Sequence, residues 1–383
     1  LTDWQQRDPV QLFGTGFRPV HDDCSSSNGL ADIAQEHNTT QWSRSSEYLW
    51  TLCPSPDLAA MKVTATAADQ AGFDAVWASE FYTRSGSISM AAMATSTDRC
   101  RIGSSILYGV GRSPLVLATE ARDLDELSGG RIVLGIGNGT KRMMSNWHSV
   151  ADTSAPALRV EELVPLIRRI WNLHEGPVRH EGRFYQMNLI PSGPVDPPAR
   201  DIPIITAAVR PRMCEAAGRV ADGLAGHPLF TTAYVEEVVR PAVAKGAART
   251  GRDPDDVEIV SMVMCSIHDD PEIARREVAQ QIAFYASVRT YQPLLDFCGF
   301  AKQGAVIREA FARGDFAAMF DAVTDDMIDV MGVAGTASEV RAGLRRYEGV
   351  LDHIMLYPPS VGIAPERVGQ NLGEMIKHCA PGQ

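Results

Sequence analysis

From residue 47 onward, short apolar runs and helical segments take turns eight times, and no other feature limits the fold as strongly. The runs are "EYLWTLCP", "FDAVWAS", "RIGSSILYG", "RIVLGIG", "IPIITAAV", "DGLAGH", "VEIVSMVMCSI" and "LDHIMLYPP". Between them the apolar residues recur at helical spacing, as Leu163, Leu166, Ile167, Ile170 and Trp171 do in "ALRVEELVPLIRRIW". Strands that are apolar throughout are buried on both faces, and alternation with helices dictates parallel pairing. Eight such units predict an α/β fold, a closed (β/α)8 TIM barrel, with the open doubly wound sheet as the alternative. A barrel of about 250 residues fits within 47–383. The surplus falls into two insertions. The one after strand four, "HEGPVRHEGRFYQMNLIPSGPVDPPARD", reads as a hairpin and loop; the one after strand seven spans roughly 271–333.

Local signals punctuate these units. Ser55 is expected to cap the first helix, with Pro56 at its first position and Gly72 at its stop. Thr336 and Glu339 have capping-box spacing. Pro241 is expected to kink the helix in "TAYVEEVVRPAVAKGAART". Residues 1–46 are polar, rich in Ser, Asn and Thr, and lack apolar period, so they read as an irregular leader ahead of a single barrel domain.

The stretch "ELSGGRIVLGIGNGTKRMMSNWH" holds five glycines. A dinucleotide fingerprint requires G-x-G-x-x-G and an acid about 20 residues later at a strand end. Here Gly135, Gly137 and Gly139 read G-x-G-x-G, and the acids at that distance, Glu161 and Glu162, lie on a helix. The Walker pattern fails because Lys141 is followed by Arg142. In a barrel these glycines fall where strand four opens onto the mouth, and bare backbone there would let a flat ligand approach.

Composition narrows function. A net charge of −11 disfavours general binding to nucleic acid or anionic membranes. No run approaches 18 apolar residues and the N-terminus carries no signal pattern, so the expected location is cytoplasmic. Seven scattered cysteines without C-x-x-C read as reduced thiols. His174 and His180 lack a third ligand, which argues against a metal site, and there is no G-x-S-x-G or H-E-x-x-H.

Four segments, "AADQAGFDAVWASEFY", "RSPLVLATEARDLDELSGGRIVLGIGNG", "IPIITAAVRPRMCEAAGRVADGL" and "GTASEVRAGLRRY", resemble segments of the bacterial luciferase-like superfamily of flavin- and deazaflavin-dependent oxidoreductases, in the same order. "GRVADGLAGHPL" and "IAFYASVRTYQPLL" resemble an actinobacterial, deazaflavin-dependent branch. The resemblance covers about 47–360 and implies a (β/α)8 barrel holding the deazaflavin coenzyme F-420, or alternatively FMN, at its mouth. The deazaflavin serves hydride transfer to or from a small organic substrate. FMN, reduced by a separate reductase partner, serves insertion of one oxygen atom. Carbon in place of the reactive ring nitrogen makes the deazaflavin poor at activating oxygen, so the cofactor decides the reaction class. Homodimers are common in the superfamily, and some members look like non-catalytic flavin-binding barrels.

The resemblance and the residues' own places at the strand ends together nominate a site. Glu80, after strand two, matches a position that contacts the coenzyme ring or relays a proton, and shielding by a planar ligand would raise its pKa. His148 is the second acid/base candidate, beside Trp147. Ser105–Ile106 matches a non-prolyl cis peptide that backs the central ring. Asn138, Gly139 and Thr140 suit hydrogen bonds to a ring or ribityl chain. Ala207, Ala208 and Val209 end strand five where a ligand passes, although relatives commonly have glycine near Val209. Arg210 and Arg212 at the next helix start suit a phosphate, and Gly226 and His227 match the coenzyme phosphate neighbourhood. Arg112, Lys141 and Arg142 add positive charge near the mouth for the polyanionic tail of F-420.

Overall fold

The computed structural model describes residues 49–52 and 57–381. The leader 1–46 and the expected cap at Ser55–Pro56 lie outside the described residues. Eight parallel strands carry the fold: β1 (Leu49–Leu52), β2 (Ala75–Ala78), β3 (Arg101–Ser104), β4 (Ile132–Gly137), β5 (Ile204–Ala207), β6 (Gly223–Gly226), β7 (Glu258–Ile267) and β8 (His353–Tyr357). Each pairs with the next, and β8 pairs back onto β1 through Leu49↔His353 to Leu52↔Leu356. The sheet is therefore a closed barrel. Helices follow the strands in turn: α1 (Leu58–Gln70), α2 (Gly86–Ala94), α3 (Pro114–Ser128), α4 (Pro156–Trp171), α5 (Pro211–Val220), α6 (Arg240–Ala248), α7 (Ala337–Leu344) and α8 (Pro365–His378). No described helix is long and apolar enough to cross a membrane.

Both insertions lie where the sequence puts them. The first is an antiparallel hairpin, Val178–Glu181 with Gln186–Leu189. Glu162 of α4 ties it down, accepting from His180 Nε2 at 2.9 Å and from the amides of Phe184 and Tyr185 at 3.1 and 2.8 Å. The second is helical from Pro271 to Met331 and ends in a strand, Gly332–Gly335, that pairs with the upper half of β7.

Three local expectations change. Asp57 caps α1, its carboxylate accepting from Ala60 N–H at 2.8 Å. "RIGSSILYG" is two strands rather than one: β3 stops at Ser104, the Ser105–Ile106 peptide is cis, and Leu107–Tyr108 pairs separately with the top of β4. The helix before Pro241 widens into a π turn over Val235–Val239. Proline offers no N–H to the carbonyl four residues back and its ring crowds that carbonyl, so the preceding turn opens.

Side chains alternate across the pleat, and the pairing register assigns each to the interior or to the helices. Val76, Ile102, Leu134, Ile204, Leu224 and Ile354 pack outward in the helix-facing core. Inside, large residues meet glycines: a Cβ on Gly103 would lie 2.2 Å from the Trp77 ring, and one on Gly223 2.8 Å from Ile205. Glu258 and His353, 3.1 Å apart, close the lower end with Arg101 in electrostatic reach. Trp77, Val133, Ile205, Val260 and Met355 are buried, whereas the layer above them, Ile106, Ala207, Met262 and Tyr357, is half-exposed. That layer is the floor of an open mouth at the C-terminal ends of the strands.

Candidate active site at the barrel mouth

Parallel strands deliver their C-terminal ends to one rim, and the nominated residues after β2, β4, β5 and β6 meet there. Ile106 lies across Gly137, where a Cβ would be 2.8 Å from Ile106 Cδ1 and 2.9 Å from Ala207 Cβ. Ser105 is held beneath it: its N–H donates to Ala78 O at 2.8 Å and its carbonyl accepts from Ser79 Oγ at 3.1 Å. Gly135 is filled still more tightly, since a Cβ would sit 1.7 Å from Ser104 O. Gly135 and Gly137 thus admit the protein's own neighbouring strand and side chains, not a ligand. Gly139, at φ 68°, is the glycine that the turn requires.

Glu80 departs from the expected proton relay. Its two oxygens accept from Arg112 Nη1 and Nη2, both at 2.6 Å, and from the amides of Tyr108 and Gly86 at 2.8 and 3.4 Å. Burial pushes its pKa up, but the Arg112 hydrogen bonds, the backbone donors and the Arg112 charge outweigh it and hold the carboxyl below its ordinary value. Glu80 is therefore an ionised anchor in this structure. Arg112 also gives Nε to Glu120 at 3.1 Å, so its charge is shared between two carboxylates.

His148 sits beside this pair. Its ring packs 4.9 Å from that of Tyr108 and against bare backbone at Gly111, where a Cβ would lie 2.6 Å from Nδ1. Its Nε2 is buried without a hydrogen-bond partner among the described residues, and burial, more than the opposed charges of Glu80 and Arg112, lowers its pKa. A neutral imidazole with one open nitrogen can hold or move a proton. Asn138 is similar: Nδ2 donates to Pro156 O at 2.9 Å, while Oδ1 is buried and unpaired among the described residues. Thr140 caps the short helix Lys141–Asn146, accepting from Met143 N–H at 3.2 Å.

The β5 and β6 ends divide. Ala207 faces the mouth floor, whereas Ala208 is buried in the helix-facing core, and the Val209 carbonyl accepts from Tyr234 OH at 2.8 Å. The Ala208 side chain is accordingly turned away from the mouth. Arg210 is the N-cap residue of α5; both it and Arg212 are exposed and form no ion pair among the described residues. Gly226 is needed by Ser261 and Phe230, whose atoms would lie 2.5 and 2.8 Å from a Cβ. His227 offers no cation to a phosphate, because burial pulls its pKa down to about 3. Its Nδ1 accepts from Leu229 N–H at 3.2 Å, and its ring stacks on Tyr291 with centroids 3.9 Å apart.

Sequence reasoning missed four tyrosines here. Tyr108 lies under Gly139; Tyr285 and Tyr291 come from the second insertion; Tyr357 ends β8 and lies 3.1 Å from Tyr285, hydroxyl to hydroxyl. The available signal was "IAFYASVRTYQPLL", which supports the family resemblance but gives its tyrosines no address.

Comparison with known proteins agrees with this architecture. The model of the luciferase-like monooxygenase family matches residues 32–353. An uncharacterised Mycobacterium tuberculosis protein is 31% identical over 299 residues, covering 76% of this chain and 87% of its own. A 5,10-methylenetetrahydromethanopterin reductase of Methanopyrus kandleri is 29% identical over 336 residues, covering 81% and 92%. The solved coenzyme F-420-dependent tetrahydromethanopterin reductase of that organism superposes with a TM-score of 0.69 at 24% identity, covering 85% of this chain and 97% of its own. An FMN-bound type II Baeyer–Villiger monooxygenase from Pseudomonas putida does so at 0.62 and 18%, covering 88% and 99%. With a family model spanning all but its ends, this chain belongs to the luciferase-like monooxygenase family.

Proposed function

We propose that this chain is an oxidoreductase that binds coenzyme F-420 across the barrel mouth and moves a hydride to or from a small organic substrate. One observation carries the reading: above an apolar floor that includes Ile106 and Ala207, the segment after β4 brings two buried polar atoms, Asn138 Oδ1 and His148 Nε2, that have no partner among the described residues. Buried polar groups left unpaired are costly, and such atoms beside an open mouth fit the polar edge of a bound ring. When bound, the deazaflavin supplies two-electron chemistry without activating oxygen. Ser105 and Ile106 would back it, Asn138 and Thr140 would meet its polar edge, and Arg210 with Arg212 would receive its anionic tail. His148, neutral at pH 7, would exchange a proton with the substrate oxygen at Nε2. Glu80 and Arg112 would keep the wall in place as a closed ion pair. The identity to a methanopterin reductase over most of both chains favours the hydride reading.

The deciding experiment is equilibrium binding of oxidised F-420 and oxidised FMN to the purified protein, side by side at one salt concentration. Tighter binding of F-420 is expected. Tighter binding of FMN would replace hydride transfer with oxygen insertion fed by a separate reductase, and binding of neither by folded protein would overturn the cofactor reading.

A further inference from the structure

The aromatic side chains of the mouth form two walls. On one side Phe81 and Tyr82, just after β2, set their rings edge-on to Trp147 at 5.2 and 5.6 Å. On the other, the second insertion brings Tyr291 onto His227 at 3.9 Å with 31° between planes, and Tyr285 edge-on to His227 at 4.7 Å. Tyr108 links the two, since both Glu80 and Tyr291 lie within its electrostatic reach. The titratable groups packed into these walls are already compensated or neutral. Arg112 spans Glu80 and Glu120, and burial keeps His227 neutral. A charged molecule held against these rings would lose hydration and gain no counter-ion from Arg112, Glu80 or His227, whereas a planar ring would bury apolar surface and stack.

We infer that the second insertion is the substrate-selecting element, and that the wall Tyr291 and Tyr285 build against His227 takes an uncharged molecule carrying an aromatic ring. The inference rests on the proposed use of the mouth as an active site, and it adds the substrate class. Tyr291 is the residue that decides it, because it lies face to face with His227, while Tyr285 meets that ring by its edge. Leucine at 291 would keep apolar bulk and lose the stack; phenylalanine would keep both.

The test is a ligand-observed NMR titration of the full chain with benzyl alcohol, cyclohexylmethanol and benzoate, without cofactor and with whichever of F-420 or FMN it binds. Benzyl alcohol is expected to bind about fivefold more tightly than cyclohexylmethanol, and at least about tenfold more tightly than benzoate. Tyr291→Leu should erase the first preference and Tyr291→Phe should keep it, with cofactor affinity changed by less than about twofold. Equal binding of the two alcohols, tighter binding of benzoate, or an undiminished preference in folded Tyr291→Leu would overturn the inference. The ranking on the unmodified protein stands even where a variant fails to fold. Sorting of the probes by a protein that binds neither cofactor would uphold this selectivity and sink only the cofactor reading; tight cofactor binding without sorting would do the reverse.

Discussion

Gly135 shows why the glycine run resembled a nucleotide loop without being one. Ser104 clasps it, with Oγ donating to Gly135 O at 2.8 Å and accepting from Gly135 N–H at 2.9 Å, and the Ser104 carbonyl fills the space a side chain would need. The surplus of glycines was legible, but its cause was not, because it lies in a strand some 30 residues away. Gly135→Ala must push β3 from β4 and is expected to cost about 3 kcal/mol or more, read as a lower urea midpoint; an unchanged midpoint would show that the strands yield freely. His227 gives a pH prediction. Its pKa falls from 6.5 to about 3 on folding, through burial between Tyr285 and Tyr291. Between those values the unfolded chain binds a proton that the folded chain refuses. The contribution of His227 is therefore complete above pH 6.5 and fades as pH falls toward 3. His227→Phe keeps the rings packed and should flatten the fall of stability across that window; an identical slope in both proteins would exclude His227 as a source of it.

At the scale of elements, the second insertion depends on a polar stripe that looks like a solvent face. Glu277, Gln281 and Tyr285 stand four residues apart on the helix Pro271–Ala286. All three face the rest of the protein and not solvent. Glu277 accepts from Ser266 Oγ and from Arg367 Nε at 2.5 and 2.8 Å, Gln281 accepts from Ser360 N–H at 3.0 Å, and Tyr285 meets Tyr357. Reading polar residues at helical spacing as exposed is sound when nothing tells where Arg367 and Ser266 will be, so this stripe was not legible. The hairpin was, because its prolines and glycines mark a local structure. Glu277→Ala removes the carboxylate partner of half-buried Arg367, which keeps only Ile267 O and Ser266 Oγ, and should cost about 2 kcal/mol. Hydrogen exchange across 271–286 should quicken with it, and the preference for an aromatic probe should weaken through displacement of Tyr285. Loss of stability with exchange unchanged in that helix would mean that Glu277 serves β7 and α8 alone.

The barrel as a whole was the most legible level, since eight alternations admit few closed arrangements and the pairing of β6 with β7 and β8 with β1 completes one. Charge at this scale poses the remaining problem: a protein of net charge −11 must accept a polyanionic cofactor if it uses F-420. The long-range field repels such a ligand, and salt screens that repulsion over about 10 Å at 0.1 M. Contact with Arg210 and Arg212, exposed at the start of α5, works in the opposite sense and is itself weakened by salt. If close contact dominates, added salt weakens F-420 binding; if the global field dominates, added salt strengthens it. Two guanidiniums at a helix N-terminus, without an ion pair among the described residues, favour the first outcome. Replacing both with alanine should then lower F-420 affinity by about tenfold or more, leave riboflavin nearly unaffected, and reverse the salt trend as only the repulsive field is left. Equal losses for F-420 and riboflavin would instead place the arginines in the scaffold of the mouth, and an unchanged salt trend would move the anionic tail to another part of the rim.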